Sequence, residues 1–490
     1  MKILLIEPPP THKFGNLRTI GSHSLYKADI AWPPLDLMFL AGTLDKKGHQ
    51  TSICDATTLR LNYEQLKTVI VREKPQVVIF STSTSTINDD LKTATVAKEV
   101  YGDIITIAIG THIFARGEEV MQAEPFLDIA VYEEPEWPIM QLADNNFKPG
   151  PVTGIYYRNN SQITKSRTVL TQRVGTGAWI KNQASGQVAD LNTLGWPSHD
   201  KIPLHLYRDP MMRRSPMSMT MGSRGCINSC IFCSSPFFKY RLRDVDNLIA
   251  ELHWAVSLGI KEMRFFDMGF TNNLDWADRL TRKMIDQKID LTWQCTARAD
   301  RVDENILRQM KKAGCQTVHF GLESSDLSIL KTIKKNIHPN KVAQAVRLCK
   351  KIGIRTTIFF MIGLPGETKE TVQKTIEFAK RTNPDYMTMS IAMPHPGTVL
   401  YDYLQEHNYL RKEAAWSEYD SLKRPVYDYP ELSSEEIYRL RNKGINSFYF
   451  RPSYIWRRFT NQKNWTEMKT NWRNFVGFVK RYVLSSKVSV

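Results

Sequence analysis

The stretch Gly225-Cys226-Ile227-Asn228-Ser229-Cys230-Ile231-Phe232-Cys233 places three of the chain's seven cysteines within eight residues. Three thiolates on one loop suit three irons of a cubane cluster, because cysteine thiolates hold Fe–S clusters and four is the usual number. The fourth iron would then lack a local ligand and stay open to a substrate or cofactor. Zinc and a chance cluster of buried cysteines are the alternatives, although a structural zinc site normally closes with four ligands and no second Cys-x2-Cys half follows in the sequence.

Around this loop, short β runs alternate with helical spacing from residue 216 to residue 400. The pattern predicts six β/α units and therefore a partial (β/α)6 barrel. Chemistry in such barrels sits at the carboxyl ends of the strands. Four further candidate site residues lie at or just after predicted strand ends: Asp267, Arg298, Glu323 and Gly363.

Residues 1–140 also alternate strands with helices, which predicts a doubly wound, Rossmann-like parallel sheet. Ligands of such sheets bind beyond the carboxyl ends of the strands. Asp55, Ser83, Gly110 and His112 occupy these positions and are candidate binding residues.

We expect four regions: a sheet domain over 1–145, a linker over 146–210, the barrel over 211–410, and a helical, basic and aromatic region over 411–490. The linker contains a predicted hairpin with strands at 154–157 and 164–166.

With Phe232 before its last cysteine, the loop resembles the signature of the radical S-adenosylmethionine (SAM) superfamily. The resemblance implies a [4Fe–4S] cluster on Cys226, Cys230 and Cys233, with SAM bound at the open iron. One electron then cleaves SAM, and the resulting 5′-deoxyadenosyl radical abstracts hydrogen.

The same resemblance implies roles for the other strand-end residues. Asp267 would lie near the SAM amine, Arg298 near its carboxylate, Glu323 near its ribose and methionine, and Gly363 at the adenosine pocket. Each also has a plain structural explanation: a helix cap for Asp267 and Glu323, a surface ion pair for Arg298, and a β-to-α turn at Gly363.

The stretch Trp32-Pro33-Pro34-Leu35-Asp36 and the Gly110–His112 loop resemble the cobalamin-binding domain that precedes many radical SAM barrels. Cobalamin binding, with contacts from Asp55, Ser83, Gly110 and His112, is implied. The D-x-H-x-x-G motif that supplies a cobalt-ligating histidine is absent at Asp55. The family's Gly-Glu-Gly-Glu run is replaced by 132–136, which lacks glycines that allow close backbone approach. The alternative is a sheet domain that only positions substrate.

The net charge of +16 is concentrated in the last 52 residues, where 12 Lys and Arg stand against Glu467 alone beside 11 aromatic residues. Trp472, Phe475, Val476, Val479 and Val483 recur at helical spacing. Such a helix suits an anionic membrane surface, or it packs on the barrel with its charges solvated. A nucleic-acid partner is not favoured, because no binding motif accompanies the charge.

No signal peptide or membrane-spanning run is evident, so a cytoplasmic location is expected, with peripheral contact at the inner membrane face as an option. The sequence favours a cobalamin-dependent radical SAM enzyme that methylates an unactivated carbon. The alternatives are an anaerobic oxidative cyclase, a tRNA-modifying radical SAM enzyme and a non-enzymatic scaffold. A lipid, isoprenoid or tetrapyrrole substrate and a flavodoxin or ferredoxin electron donor are further expectations.

Overall fold

The computed structural model describes residues 1–12, 16–18, 24–25, 30–158, 179–184, 186–234 and 237–460. Two large sheets, one mostly and one wholly parallel, organise this part of the chain. Its strands are β1 (Lys2–Glu7), β2 (Asn16–Leu17), β3 (Ser24–Leu25), β4 (Gln50–Asp55), β5 (Val77–Ser81), β6 (Ile105–Ile109), β7 (Ile129–Val131), β8 (Ile155–Arg158), β9 (Trp179–Lys181), β10 (Met217–Thr220), β11 (Ser223–Arg224), β12 (Arg241–Leu242), β13 (Glu262–Phe265), β14 (Thr292–Ala297), β15 (Cys315–Glu323), β16 (Arg355–Ile362) and β17 (Tyr386–Ile391).

Helices follow most of these strands, as a β/α alternation requires. They are α1 (Leu35–Lys46), α2 (Ala56–Leu59), α3 (Tyr63–Glu73), α4 (Ile87–Asp90), α5 (Lys92–Val100), α6 (Thr111–Ala123), α7 (Glu136–Asp144), α8 (Val245–Ser257), α9 (Leu274–Asp286), α10 (Glu304–Lys312), α11 (Leu327–Thr332), α12 (Pro339–Ile352), α13 (Lys369–Thr382), α14 (Val399–Glu406), α15 (Ser434–Tyr449) and α16 (Pro452–Thr460).

The N-terminal sheet has the order β4-β1-β5-β6-β7-β8-β9. Its first five strands are parallel, and their order is the doubly wound one in which ligands bind where the strand order reverses, here between β1 and β5. Alternate residues of β1 enter different cores: Leu4 and Ile6 pack on one face, Ile3 and Leu5 on the other. Burial on both faces is typical of parallel sheets covered by helices, so the predicted fold class is confirmed.

Two antiparallel strands extend this sheet and come from the segment that we expected to be a linker. β8 covers the first predicted hairpin strand and pairs with β7 on one side and β9 on the other. The second predicted hairpin strand, at 164–166, lies outside the described residues, as does the predicted amphipathic helix around Trp472.

The second sheet has the order β10-β13-β14-β15-β16-β17, with every pair parallel. Six parallel strands with helices between them form the predicted partial barrel. Residues such as Phe265, Trp293 and Phe320 pack outward against the helices. Cys295, Cys315 and Cys349 belong to this core and are fully buried.

The opposite faces of these strands carry buried polar side chains. The Gln294 Oε1 atom accepts a hydrogen bond from Arg264 Nη1 at 3.1 Å and one from His319 Nε2 at 2.9 Å. Burial lowers the pKa of His319 well below its usual value. The ring is therefore neutral, with its proton on Nε2.

Helix α1 touches the segment that precedes the barrel through two glycines. A Cβ atom on Gly42 would lie 1.8 Å from the Trp196 carbonyl oxygen, and one on Gly195 would lie 2.1 Å from the Gly42 backbone. Such backbone contact leaves no room for a methyl group.

We therefore expect Gly42→Ala to destabilise the protein by about 1–3 kcal/mol through overpacking, despite the better helix propensity of alanine. Thermal unfolding would show this as a lower midpoint. Gly102→Ala is the matched control, because a Cβ atom there meets nothing within 4 Å. Equal midpoints for the Gly42→Ala variant and the wild type would contradict the contact.

Candidate cofactor site

The cysteine loop begins directly after β11 and is anchored at its centre. Ile231 donates its N–H to the Ile333 carbonyl at 3.3 Å and accepts at its own carbonyl from the Leu400 N–H at 2.9 Å. Cys230 is 9% exposed, whereas Cys226 and Cys233 are half-buried. Burial raises the pKa of the Cys230 thiol to about 11, and metal ligation would deprotonate such a thiol.

Arg298, which the resemblance places near the SAM carboxylate, contacts this loop. It donates to the Asn228 side chain at 2.7 Å and to the Asn336 carbonyl at 2.6 Å. Asn228 in turn donates to the Cys226 Sγ atom at 3.3 Å. A bidentate pair with Asp300, at 2.9 and 2.8 Å, holds the guanidinium in place, so the expected ion pair is present and supports the cysteine loop.

Asp267 contacts the strand that enters the loop. Its carboxylate accepts from the Gly222 N–H at 3.2 Å and from the Ser223 hydroxyl. Burial raises the pKa of Asp267 to about 6. The side chain therefore fixes the backbone just ahead of the cysteines.

Glu323 ends β15 at an irregular position. The pairing register with β16 shifts between Gly321 and Glu323, and Glu323 has a φ of 69°, in the left-handed region. Non-glycine residues seldom adopt this conformation, and such strain is concentrated at functional sites. Its carboxylate pairs with Lys335 at 3.0 Å, whose neighbour Lys334 accepts from Cys230 Sγ at 4.0 Å through its carbonyl.

Gly363 ends β16 among a different set of partners. Its N–H donates to Glu367 at 2.7 Å, and its carbonyl accepts from the hydroxyls of Tyr427 and Tyr429. A Cβ atom there would lie 2.3 Å from the Tyr427 hydroxyl, and the φ of 84° also requires glycine. Phe232 packs at the margin of the barrel core.

The N-terminal sheet presents its loops at the carboxyl ends of β5 and β6. Ser83 donates its N–H to Asp90 at 3.1 Å and shares a 2.8 Å hydrogen bond with the Thr86 hydroxyl. Asp90 is paired with Arg18 at 2.8 Å, and Arg18 also binds Glu7 at the end of β1. Burial raises the pKa of Glu7 to about 7.

Gly110 directly follows β6, and His112 lies in the first turn of α6. A Cβ atom on Gly110 would lie 2.3 Å from the Thr82 carbonyl oxygen, so glycine lets the two loops touch. His112 is 2% exposed and lies 3.3 Å from the Thr84 hydroxyl. Burial and the positive charge of Arg116 lower its pKa to about 3, so the ring is neutral.

The Asp55 carboxylate forms hydrogen bonds to two other segments of the protein. It caps α2 by accepting from the Thr58 N–H at 2.8 Å, and it accepts from the Tyr207 hydroxyl at 2.9 Å. Tyr207 belongs to the segment that leads into the barrel. Asp55 thus links that segment to the carboxyl end of β4.

The carboxyl edges of the two sheets meet at one junction. The Phe114 ring contacts Phe238, just beyond the cysteine loop, with ring centroids 5.7 Å apart. Arg116 donates to the Tyr401 hydroxyl at 2.6 Å. The His112 ring meets Trp416 edge to face at 4.9 Å. The segments that follow β6 and β17, including helices α6 and α14, therefore approach one another beside the cysteines.

Sequence reasoning missed the charged residues that fasten this junction. Arg224, directly before the loop, binds Glu134 at 3.1 Å and also Glu136 of the N-terminal domain. Both acids lie in residues 132–136, where the sequence departs from the family's Gly-Glu-Gly-Glu run. That departure was the one sequence feature that could have pointed to these acids. Arg18 and its partners carried no motif and could not be singled out.

The donor set of the loop fits a cubane cluster better than a single ion. Within the described ranges, no three His, Cys, Asp or Glu side chains converge closely enough to hold one metal ion. A cubane gives each cysteine its own iron, so the thiolates need only surround a shared space. On the facing sheet, Ser83 and Gly110 follow β5 and β6 at the edge where doubly wound folds bind ligands.

Comparison with known proteins agrees with this architecture. The profile of the radical SAM superfamily matches residues 221–379, and that of the B12 binding domain matches residues 25–143. An uncharacterised methyltransferase of Pyrococcus horikoshii is 30% identical, over 93% of this chain and 94% of its own. The anaerobic magnesium-protoporphyrin IX monomethyl ester cyclase of Rubrivivax gelatinosus is 26% identical, over 82% and 70% respectively.

Among solved structures, the radical SAM methyltransferase TsrM of Kitasatospora setae, with cobalamin and a [4Fe–4S] cluster bound, shares the fold. The TM-score is 0.68 at 17% identity, covering 92% of this chain and 89% of that one.

This chain therefore belongs to the radical SAM superfamily, in the group that carries a B12-binding domain. It is a methyltransferase-like, cobalamin-dependent radical SAM enzyme, and its cofactors are a [4Fe–4S] cluster, SAM and cobalamin. In the part of the chain that the structure covers, no helix combines the length and apolar character needed to cross a membrane.

The Gly363 turn gives a testable pH dependence. Glu367 is buried, and its pKa is raised from 4.5 to about 8. The folded protein holds this proton more tightly than the unfolded chain, so stability falls as the pH rises through that interval. The Glu367→Gln variant lacks this loss of stability. The difference between its melting temperature and that of the wild type should therefore shift in favour of the variant as the pH rises from about 5 to about 9.

The matched control is Glu370→Gln, in the first turn of the helix that follows, α13, where hydrogen bonding by Thr368 lowers the pKa. Thermal unfolding of the cofactor-free proteins measures both differences. A pH-independent difference for Glu367→Gln would show that this acid is not held protonated.

Proposed function

We propose that this enzyme transfers a methyl group to an unactivated carbon of a small-molecule substrate. The observation that carries the proposal is the junction of the two carboxyl edges, where Phe114 and Arg116 touch Phe238 and Tyr401. A cofactor at each edge would then face the same space. The methyltransferase relative, which matches nearly the whole chain, supports this reaction over others.

When bound, the cluster with SAM supplies a 5′-deoxyadenosyl radical, and cobalamin supplies the methyl group. The chain's own residues hold these groups. Cys226, Cys230 and Cys233 ligate the cluster, and Arg298 steadies that loop through Asn228. Phe232 would cover the apolar side of the cluster.

SAM lies along the strand ends of the barrel. Asp267, Arg298 and Glu323 offer charged groups to its amine, carboxylate and ribose, and the Gly363 turn borders the adenosine. The buried position of Asp267 and Glu323 excludes water, which strengthens these contacts.

Ser83, Gly110 and His112, with Asp55 nearby, would hold cobalamin at the carboxyl edge of the N-terminal sheet. His112 is neutral and already occupied by Thr84 and Trp416, so it serves as a wall of the pocket. No histidine from the Asp55 turn reaches the cobalt, because that turn contains none.

The substrate is a small, largely apolar molecule, such as a lipid, an isoprenoid or a tetrapyrrole. The tetrapyrrole cyclase relative supports the last of these. The basic, aromatic C-terminal region would bring the enzyme to an anionic membrane surface, where such substrates collect. A flavodoxin or ferredoxin would supply the electron.

Reconstitution tests the proposal directly. The protein is purified without oxygen, loaded with iron, sulfide and hydroxocobalamin, and desalted. We expect visible absorption from both a cluster and a corrinoid. The cluster absorption should vanish in Cys226→Ala/Cys230→Ala/Cys233→Ala and persist in the control Cys349→Ala, which removes a buried core thiol.

Reduction in the presence of SAM deuterated on its methyl group completes the test. Formation of 5′-deoxyadenosine together with a deuterated methyl on candidate substrates is the expected result. A cluster without retained corrinoid would contradict methyl transfer through cobalt, and absence of a cysteine-dependent cluster would contradict the whole proposal.

Oxidative ring closure is the second candidate, favoured by the cyclase relative alone. It shares the radical step and predicts a product that lacks the deuterated methyl. The same labelled SAM therefore separates the two reactions.

A further inference from the structure

The strand before the cysteine loop is fastened to the N-terminal domain by buried charges. Arg224 is 6% exposed and donates through Nη1 to Glu134 at 3.1 Å and to Glu136 at 2.9 Å, and through Nη2 again to Glu136. Arg241, on the paired strand β12, adds a bond to Glu134 at 2.9 Å. We call this set, Arg224, Arg241, Glu134 and Glu136, the junction clamp.

The clamp has a single favourable arrangement. Glu134 and Glu136 are 2% and 0% exposed, and two neighbouring buried carboxylates are costly unless cations meet them. The guanidinium of Arg224 is a planar fork that matches a carboxylate in one orientation. Any shift of the loop relative to the N-terminal domain would leave a buried charge unpaired.

The clamp lies very close to the first cluster ligand. Only Gly225 separates Arg224 from Cys226, and two residues span at most about 7 Å. Gly225 has a φ of 75°, and a Cβ atom there would lie 2.4 Å from the Phe238 and Lys239 carbonyl oxygens. The chain between clamp and ligand is therefore short and held in one direction.

We propose that Arg224, with Glu134 and Glu136, is a positioning device that sets the cluster loop at a fixed place relative to the cofactor edge of the N-terminal sheet. The statement that each edge holds a cofactor rests on the proposed function, whereas the positioning of the loop by the clamp does not. Group transfer between bound partners is sensitive to displacements of about 1 Å. A clamp that joins the two domains beside the first cysteine meets that requirement.

Hydrogen–deuterium exchange of the full chain tests the clamp without relying on catalysis. In the cofactor-free protein, Arg224→Met should raise amide exchange about tenfold or more in residues 131–136 and 223–226. Local opening of these segments costs less free energy in the variant, because no ion pairs have to be broken. Glu136→Gln should do the same. Arg224→Lys keeps the charge and should restore part of the protection.

The matched control is Arg214→Met. Arg214 forms a bidentate pair with Asp290 at 2.6 and 2.8 Å. This pair joins the segment before β10 to the segment before β14, away from the cysteine loop. The Arg214→Met substitution should leave amide exchange unchanged in residues 131–136 and 223–226. Should Arg224→Met fail to fold, Arg224→Lys and Glu136→Gln decide the question.

A second arm uses hydroxocobalamin as the probe. In the wild type, its binding should slow exchange in residues 223–234 across the junction, and in Arg224→Met this protection should be lost. Exchange within twofold of wild type at both segments of Arg224→Met, or an equal rise in Arg214→Met, would overturn the clamp. If hydroxocobalamin protects nothing in the wild type, the cobalamin part of the proposed function fails, while the cofactor-free arm still decides on the clamp.

Discussion

Parallel strands all end at one edge of their sheet, and both sheets of this chain turn that edge to the same junction. Each edge is therefore lined by loops, which carry the cysteines on one side and the Ser83 and Gly110 turns on the other. Where the edges face each other, the helices that follow β6 and β17 are in contact through Arg116 and Tyr401. The fold and the junction follow from this arrangement, and the proposed cofactor positions depend on it.

The loops at both edges satisfy most of their own polar groups. Ser83 and Thr86 share the Asp90 carboxylate, which Arg18 neutralises, and Glu323 is neutralised by Lys335. Supporting contacts of this kind hold functional side chains in place before a ligand arrives. The left-handed conformation of Glu323 is a local cost that these contacts offset.

Much of the fold could be predicted from the sequence because its signals are local. Helix α12 shows such signals, since Pro339 opens its first turn and Gly353 ends it in the left-handed conformation. The cysteine spacing predicts the cluster loop, and its neighbour Arg298, predicted to lie near the SAM carboxylate, contacts that loop through Asn228. The glycine requirement at Gly363 was visible as turn chemistry, although its partners, Tyr427 and Tyr429, were not.

What escaped prediction depends on contacts between distant segments. Arg224 and Glu134 are 90 residues apart, and neither belongs to a motif whose spacing reveals the other. The segment expected to be a linker contributes β8 and β9 to the N-terminal sheet, because its short strands gave no local sign of which sheet they join. Asp55 was singled out for a ligand, yet its observed partners, Thr58 and Tyr207, are structural, and nothing near it in sequence indicates Tyr207.

Electron paramagnetic resonance of the protein loaded with both cofactors tests most directly whether the two edges face one space. With the cluster reduced and cobalamin in its cobalt(II) state, both centres are paramagnetic. The account predicts that the cobalt signal relaxes faster in the wild type than in Cys226→Ala/Cys230→Ala/Cys233→Ala loaded with cobalamin alone, because a nearby cluster couples to it. Identical relaxation in the two proteins, with a reduced cluster present in the wild type, would place the cofactors apart and contradict the account.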